Sequence, residues 1–111
     1  PRLIGFQRAS ALMLLGDKVT AEEALEMGML YKMVAHDNLE EEVQKTAITL
    51  AMMPTKALGM TKELLNASMT NSLTEQLAME STYQIEAAQT EDYKEGVTAF
   101  VEKRKPNFKG K

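Results

Sequence analysis

The stretch Glu95-Gly96-Val97-Thr98-Ala99-Phe100-Val101-Glu102-Lys103-Arg104-Lys105-Pro106-Asn107-Phe108-Lys109-Gly110-Lys111 decides how the fold is read. Tyr93, Val97, Phe100, Val101 and Arg104 fall on one face at helical spacing. Pro106 ends that helix, because its ring clashes with the preceding turn and it has no N–H to donate. Upstream, Thr90 precedes Glu91 and Asp92, which places negative charge at the positive end of the helix dipole. After Glu102 come five cations and no carboxylate, whereas the residues up to Glu102 hold all 16 acidic side chains against eight basic ones. The net charge of −3 thus hides an acidic body with a basic tail, which suits a local anionic partner better than broad nucleic-acid affinity. A cation near Phe100 and Phe108 at a helix end can hold a phosphate. The macrodipole also favours cations there, so charge alone leaves open both a ligand role and a solvated terminus.

Further upstream the chain reads as helix after helix, each with its own start signal. Ser72 with Glu75 three residues later forms a capping-box pattern ahead of a long helix through Leu77, Ala78, Ile85 and Ala88. Pro54 divides two stretches of helical period: Leu39, Val43, Ala47, Leu50 and Ala51 before it, and Ala57, Leu58, Thr61, Leu64, Leu65 and Ser68 after it. Two such helices across a short link are expected to pack as an antiparallel pair. His36-Asp37-Asn38 is a turn, with Asn38 placed to cap against Glu41. Thr20 and Glu23 form another capping box, and Gly28 closes that short helix. Arg2 to Leu15 carries apolar residues on most faces and stops at Gly16, so this helix must be buried or shared. Between these elements, Met29-Leu30-Tyr31-Lys32-Met33-Val34 is too short and too apolar for a free helix and suits a short strand. The class is therefore all-α with one short strand, with no internal repeat, low-complexity linker or second domain.

Composition narrows the function classes. A chain of 111 residues with 44% hydrophobic side chains supports one domain with a modest core. A domain of this size buries about 65% of its unfolded surface, so any wider apolar face needs a partner. Nine Met against three Phe, three Tyr and no Trp indicate adaptable packing. The lack of Cys excludes disulfides and thiolate metal sites, and no apolar run approaches the roughly 20 residues that cross a bilayer. His36, the only histidine, has Asp37 beside it, but adjacent residues rarely orient each other for general-base work, and a lone His builds no closed metal site. Glu22, Glu23, Glu40, Glu41 and Glu42 occupy first turns of helices, where dipole energetics of ~0.3–1 kcal/mol each explain them without catalysis. With no phosphate loop and no nucleophile elbow, the chain offers no catalytic residue and no metal site.

Four pieces in chain order resemble the crotonase superfamily, the enoyl-CoA hydratases and isomerases. Pro1-Arg2-Leu3-Ile4-Gly5 is similar to a segment that lies well inside those enzymes, after their active-site helix. Leu15-Gly16-Asp17-Lys18-Val19-Thr20-Ala21-Glu22-Glu23-Ala24 resembles the family's (T/L)G-D-x-(I/V)-(S/T)-A-x-x-A signature, and Gly28-Met29-Leu30 its G-L-V. Glu95-Gly96, Ala99-Phe100, Lys103-Arg104, Pro106 and Phe108 reproduce its E-G-x-x-A-F-x-x-K-R-x-P-x-F ending. Tyr83-Gln84, Asp92 to Gly96 and Pro106 to Lys111 resemble the phenylacetate-degradation ring-epoxide isomerase branch more than the mitochondrial hydratases.

The resemblance implies that residues 1–111 are a C-terminal fragment: the helical trimerisation and CoA-cover region of the crotonase fold, without the N-terminal spiral of β-β-α units. In the family that spiral holds the catalytic carboxylates and the oxyanion-hole amides, whose donors are aimed at charge developing on the thioester oxygen. The fragment alone is thus expected to turn over nothing. The resemblance also implies a coenzyme A thioester as substrate rather than resident cofactor, and a homo-oligomeric parent, trimer or hexamer. A cytoplasmic location is expected from the lack of Cys, no membrane partner from the lack of a long apolar run, and no nucleic-acid partner from the acidic body without interleaved aromatics. Lys103 matches the lysine that approaches the CoA nucleotide, and Tyr83, next to the aligned Gln84, stands for the aromatic that lies against the adenine or acyl part. A rival of another class is a non-catalytic helical association module that oligomerises through the stripe Leu3, Phe6 and Met13.

Overall fold

Gly5 sets where the first helix begins: its φ of 79° turns the chain, and its N–H donates to Pro1 O. Helix α1 (Phe6–Leu15) therefore starts later than the apolar run from Arg2 suggests, and it ends on Gly16 at φ 71°. The computed structural model describes residues 1–111, in six α-helices and one 3-10 turn. In α2 (Ala21–Glu26) the capping box forms as read: Glu23 N–H donates to Thr20 Oγ1 at 3.2 Å, and Thr20 N–H donates to Glu23 Oε2 at 2.9 Å.

The short strand expected over Met29 to Val34 does not form. A strand needs a neighbour to share its ladder, and the chain offers none. The N–H groups of Met29 and Leu30 turn back to Ala24 O instead, at 2.8 and 3.4 Å, and so close the end of α2. The 3-10 turn His36–Asn38 then leads into α3 (Leu39–Ala51). Asn38 lies inside that turn, its N–H bonded to Ala35 O, so it does not act as the extended cap paired with Glu41 that its spacing suggests. His36 is exposed there.

The chain divides into two compact units, residues 1–42 and 43–111, with the boundary in the first turns of α3. Within the second unit, α4 (Thr55–Ala67) packs on α5 (Leu73–Ala88), and α5 packs on α6 (Glu91–Val101). The antiparallel pair expected of α3 and α4 is not one of these contacts. The α4–α5 seam is made by Ala57, Met60 and Leu64 facing Gln76, Met79, Tyr83 and Ala87, all half-buried. Gln76 Nε2 donates to Leu64 O across it at 3.3 Å. The stripe read from the sequence of α5 instead points outward, with Leu77 55% and Ile85 59% exposed.

Only Ala9 and Ala99 are fully buried among apolar residues, and no large side chain is completely enclosed. Leu3, Phe6, Met13, Leu14 and Leu15 in the first unit are exposed. No helix is long and apolar enough to cross a membrane. With so little core, local caps carry an unusual share of the order. At α5, Ser72 N–H donates to Glu75 Oε2 at 2.8 Å and Glu75 N–H donates to Ser72 Oγ at 3.4 Å. Ser72→Ala is expected to cost about 1 kcal/mol of unfolding free energy and to speed amide exchange in the first turn of α5, measured by urea titration and by hydrogen exchange.

Candidate functional site

Helix α6 is capped at its start by Thr90, whose hydroxyl accepts from Tyr93 N–H at 3.0 Å and donates to Ala87 O at 2.7 Å. At its end, Lys103 N–H donates to Phe100 O at 3.3 Å and Arg104 N–H to Ala99 O at 3.0 Å. This pair of bonds is a Schellman closure, in which the residue after the cap adopts the left-handed conformation. Glycine is usual there, but Lys103 fills the position at φ 54°. It is the only non-glycine residue with positive φ. A side chain in that region costs roughly 1–2 kcal/mol of backbone strain, so the surrounding contacts must hold it.

Those contacts come from the tail, which reverses after the turn and runs back along α6. Asn107 N–H donates to Glu95 Oε1 at 2.8 Å, while Lys109 N–H and Gly110 N–H donate to the two carboxylate oxygens of Asp92 at 2.6 and 2.7 Å. Asp92 N–H returns a bond to Lys111 O at 3.0 Å. Asp92 is 3% exposed, and a buried carboxylate persists only where donors replace its water. Gly110 is required at its place: its φ is 74°, and a Cβ would stand 2.5 Å from Thr55 Oγ1.

Arg104 ties the turn to the helix. Its Nη1 and Nη2 donate to the two oxygens of Glu95 at 2.6 and 2.9 Å, its Nε to Glu102 Oε2 at 2.6 Å, and Nη1 also to Lys105 O at 3.2 Å. The two-pronged bond from Arg104, followed by the Asn107 amide, holds the Glu95 carboxyl down to about 2. The same bonds to Glu95 and Glu102 raise Arg104 above its ordinary range.

Asp92, Glu95, Arg104, Asn107 and Lys109 line a polar cleft of about 530 Å³. Tyr93, Val97, Phe100 and Phe108 line an apolar groove of about 390 Å³ together with Ala57 and Ala87. Of the two residues singled out from the sequence, Lys103 is exposed at the apex of the turn, and its ammonium makes no hydrogen bond or ion pair. Tyr83 is half-buried on α5 in a third groove, about 400 Å³, with Met60, Leu64 and Gln84. Its hydroxyl donates to Glu63 Oε2 on α4, and that bond, then burial, raises its pKa. Lys103 lines neither the polar cleft nor either groove, so none of these three brings it together with Tyr83.

Sequence reasoning missed Glu95, Arg104 and Asp92 as a group. It placed Arg104 on the face of α6 with Tyr93 and Phe100, whereas the helix ends at Val101 and Arg104 lies beyond the reversal. The usable signal was the basic tail itself, a run of cations with three carboxylates, Glu91, Asp92 and Glu95, on the preceding helix.

The whole chain, residues 1–111, matches the enoyl-CoA hydratase/isomerase family. The chain belongs to that family. It is 44% identical over its full length to the 1,2-epoxyphenylacetyl-CoA isomerase of Escherichia coli K12, of which it covers 42%. An enoyl-CoA hydratase structure from Geobacillus kaustophilus HTA426 superposes with a TM-score of 0.95 at 34% identity, covering 99% of this chain and 42% of the other. One from Bacillus anthracis superposes at 0.94 with 35% identity, covering 100% and 43%. The chain thus spans less than half the length of the relatives it matches, as a helical part of the crotonase fold.

The clamp on the tail is pH-dependent. The folded pKa of Glu95 is depressed from 4.5, so its contribution is fully present above about 4.5 and is lost as pH falls towards about 2. Protection of the Asn107 amide against hydrogen exchange, corrected for intrinsic rates, is expected to be constant from pH 7 to 5 and to fall between about 4.5 and 2.

Proposed function

We propose that this chain is the helical, CoA-holding and subunit-joining part of a bacterial, cytoplasmic enoyl-CoA hydratase/isomerase. Its substrate is an acyl-CoA thioester, so coenzyme A arrives as part of the substrate and not as a resident cofactor. Acid-base and oxyanion groups belong to a preceding β-β-α spiral, and this chain supplies none of them. The observation that carries the reading is Lys103: an unpaired ammonium on a left-handed turn that is tied down on both sides. A strained position held in place at the edge of a fold is where a binding group is worth its conformational cost.

In this reading Lys103 meets a phosphate at the nucleotide end of coenzyme A, and the Tyr83 ring lies against the adenine or acyl part. The 44% identity to an epoxyphenylacetyl-CoA isomerase favours isomerisation of a ring-epoxide thioester over simple hydration. The acidic body argues against a nucleic-acid partner, and the relevant macromolecular partner is a further copy of the same protein. The exposed apolar side chains of α1, Phe6 at 81% and Met13 at 80%, favour a second reading in which association is the chain's whole task.

Steady-state kinetics of the intact enzyme separate the two readings. Lys103→Ala is expected to raise KM for the acyl-CoA about five- to tenfold with kcat unchanged, the signature of lost uniform binding. An unchanged KM would leave only association. The 111-residue chain alone is expected to leave the conjugated thioester absorbance of crotonyl-CoA unchanged, and measurable hydration would overturn the assignment of the chemistry to the preceding spiral.

A further inference from the structure

Lys103 lies between two residues of a small charge network in which it takes no part. Glu102 precedes it and Arg104 follows it, and these two are bonded to each other, Nε to Oε2, at 2.6 Å. Glu95 completes the network by accepting both Nη atoms of Arg104 and the N–H of Asn107. One guanidinium therefore occupies both carboxylates nearest the turn, and one carboxylate holds the backbone on the far side of it. Only a planar fork with five N–H donors reaches two carboxylates and the Lys105 carbonyl at once, which a lysine ammonium does not.

We infer that Arg104 is a positioning residue for Lys103: it engages Glu95 and Glu102 so that the neighbouring ammonium stays unpaired, and it closes the turn that presents that ammonium to an anionic group. This rests on the reading of Lys103 as the contact to a phosphate of coenzyme A. Without Arg104, two carboxylates flanking the turn lack their partner. Lys103 and Lys105 are then the adjacent cations, and an ammonium paired with Glu102 or Glu95 is withdrawn from an incoming phosphate. Loss of the Glu95 anchor also frees the left-handed turn to relax, since a lysine holds φ 54° only under constraint. The depressed carboxyl of Glu95 keeps the network charged throughout the neutral range.

A double-mutant cycle on the intact protein tests this, with coenzyme A itself titrated calorimetrically into wild type, R104M, K103A and R104M/K103A. R104M is expected to weaken binding at least threefold in the wild-type background and not at all on top of K103A. R104K, which keeps the charge but loses the fork, is expected to fail to rescue, and it supplies the same comparison if R104M does not fold. Equal weakening in both backgrounds, no weakening in wild type, or full rescue by R104K would each overturn the inference. If K103A leaves affinity unchanged, the CoA reading itself fails. The positioning is then decided by hydrogen exchange at the amides of Lys103, Arg104, Lys105 and Asn107: faster exchange in R104M upholds it, and unchanged exchange overturns it.

Discussion

The carboxylate of Glu95 accepts two bonds from Arg104 and one from the Asn107 amide, joining positions nine and twelve residues downstream to the middle of α6. The return of the tail depends on that junction. With Asp92 taking the amides of Lys109 and Gly110, the tail is held along the helix by charge-assisted bonds rather than by a deep apolar core. In the second unit Ala99 is the only fully buried apolar residue, so polar anchoring does the work that burial does elsewhere. The result is a turn whose apex carries a strained lysine with a free ammonium.

The thin core and the partial coverage of relatives describe one physical situation. Helices α1 and α5 each have an apolar face turned outward: Met13 and Leu14 on the first, Leu73 and Leu77 on the second. Large exposed apolar patches are rare on self-sufficient monomers and mark surfaces made to be covered. The relatives are more than twice as long as this chain, which is consistent with faces that pack against structure outside it. The side chains that meet in the α4–α5 seam are mixed: Leu64 and Tyr83 lie among the small Ala57 and Ala87, the flexible Met60 and Met79 and the polar Gln76. That seam closes with hydrogen bonds as well as contacts, as Gln76 to Leu64 O illustrates.

Tyr83 and Glu63 belong to the same economy of partly covered polar groups. The phenol is drawn to a carboxylate across the seam, and its proton is held more tightly as a consequence. The aromatic face remains beside Gln84 and Leu64 in an open groove. A ring with its hydroxyl anchored and its face accessible can contact a flat apolar or aromatic group without losing side-chain freedom a second time.

The sequence by itself determined the helices, most of their ends and the family, because those depend on interactions spanning three or four residues or on motifs in order. The Thr20–Glu23 and Ser72–Glu75 boxes and the Gly16 stop formed where their spacing placed them. What only the tertiary structure decided was which faces meet and how the tail ends. Periodicity marks an apolar stripe on α5 but not whether anything in the chain covers it, and a strand-like segment at 29–34 cannot show that it lacks a neighbour. The clamp was illegible for the same reason. Its partners are 9, 12, 17 and 18 residues apart and meet only after Lys103 adopts a backbone conformation that its residue type disfavours, so no local rule announces them.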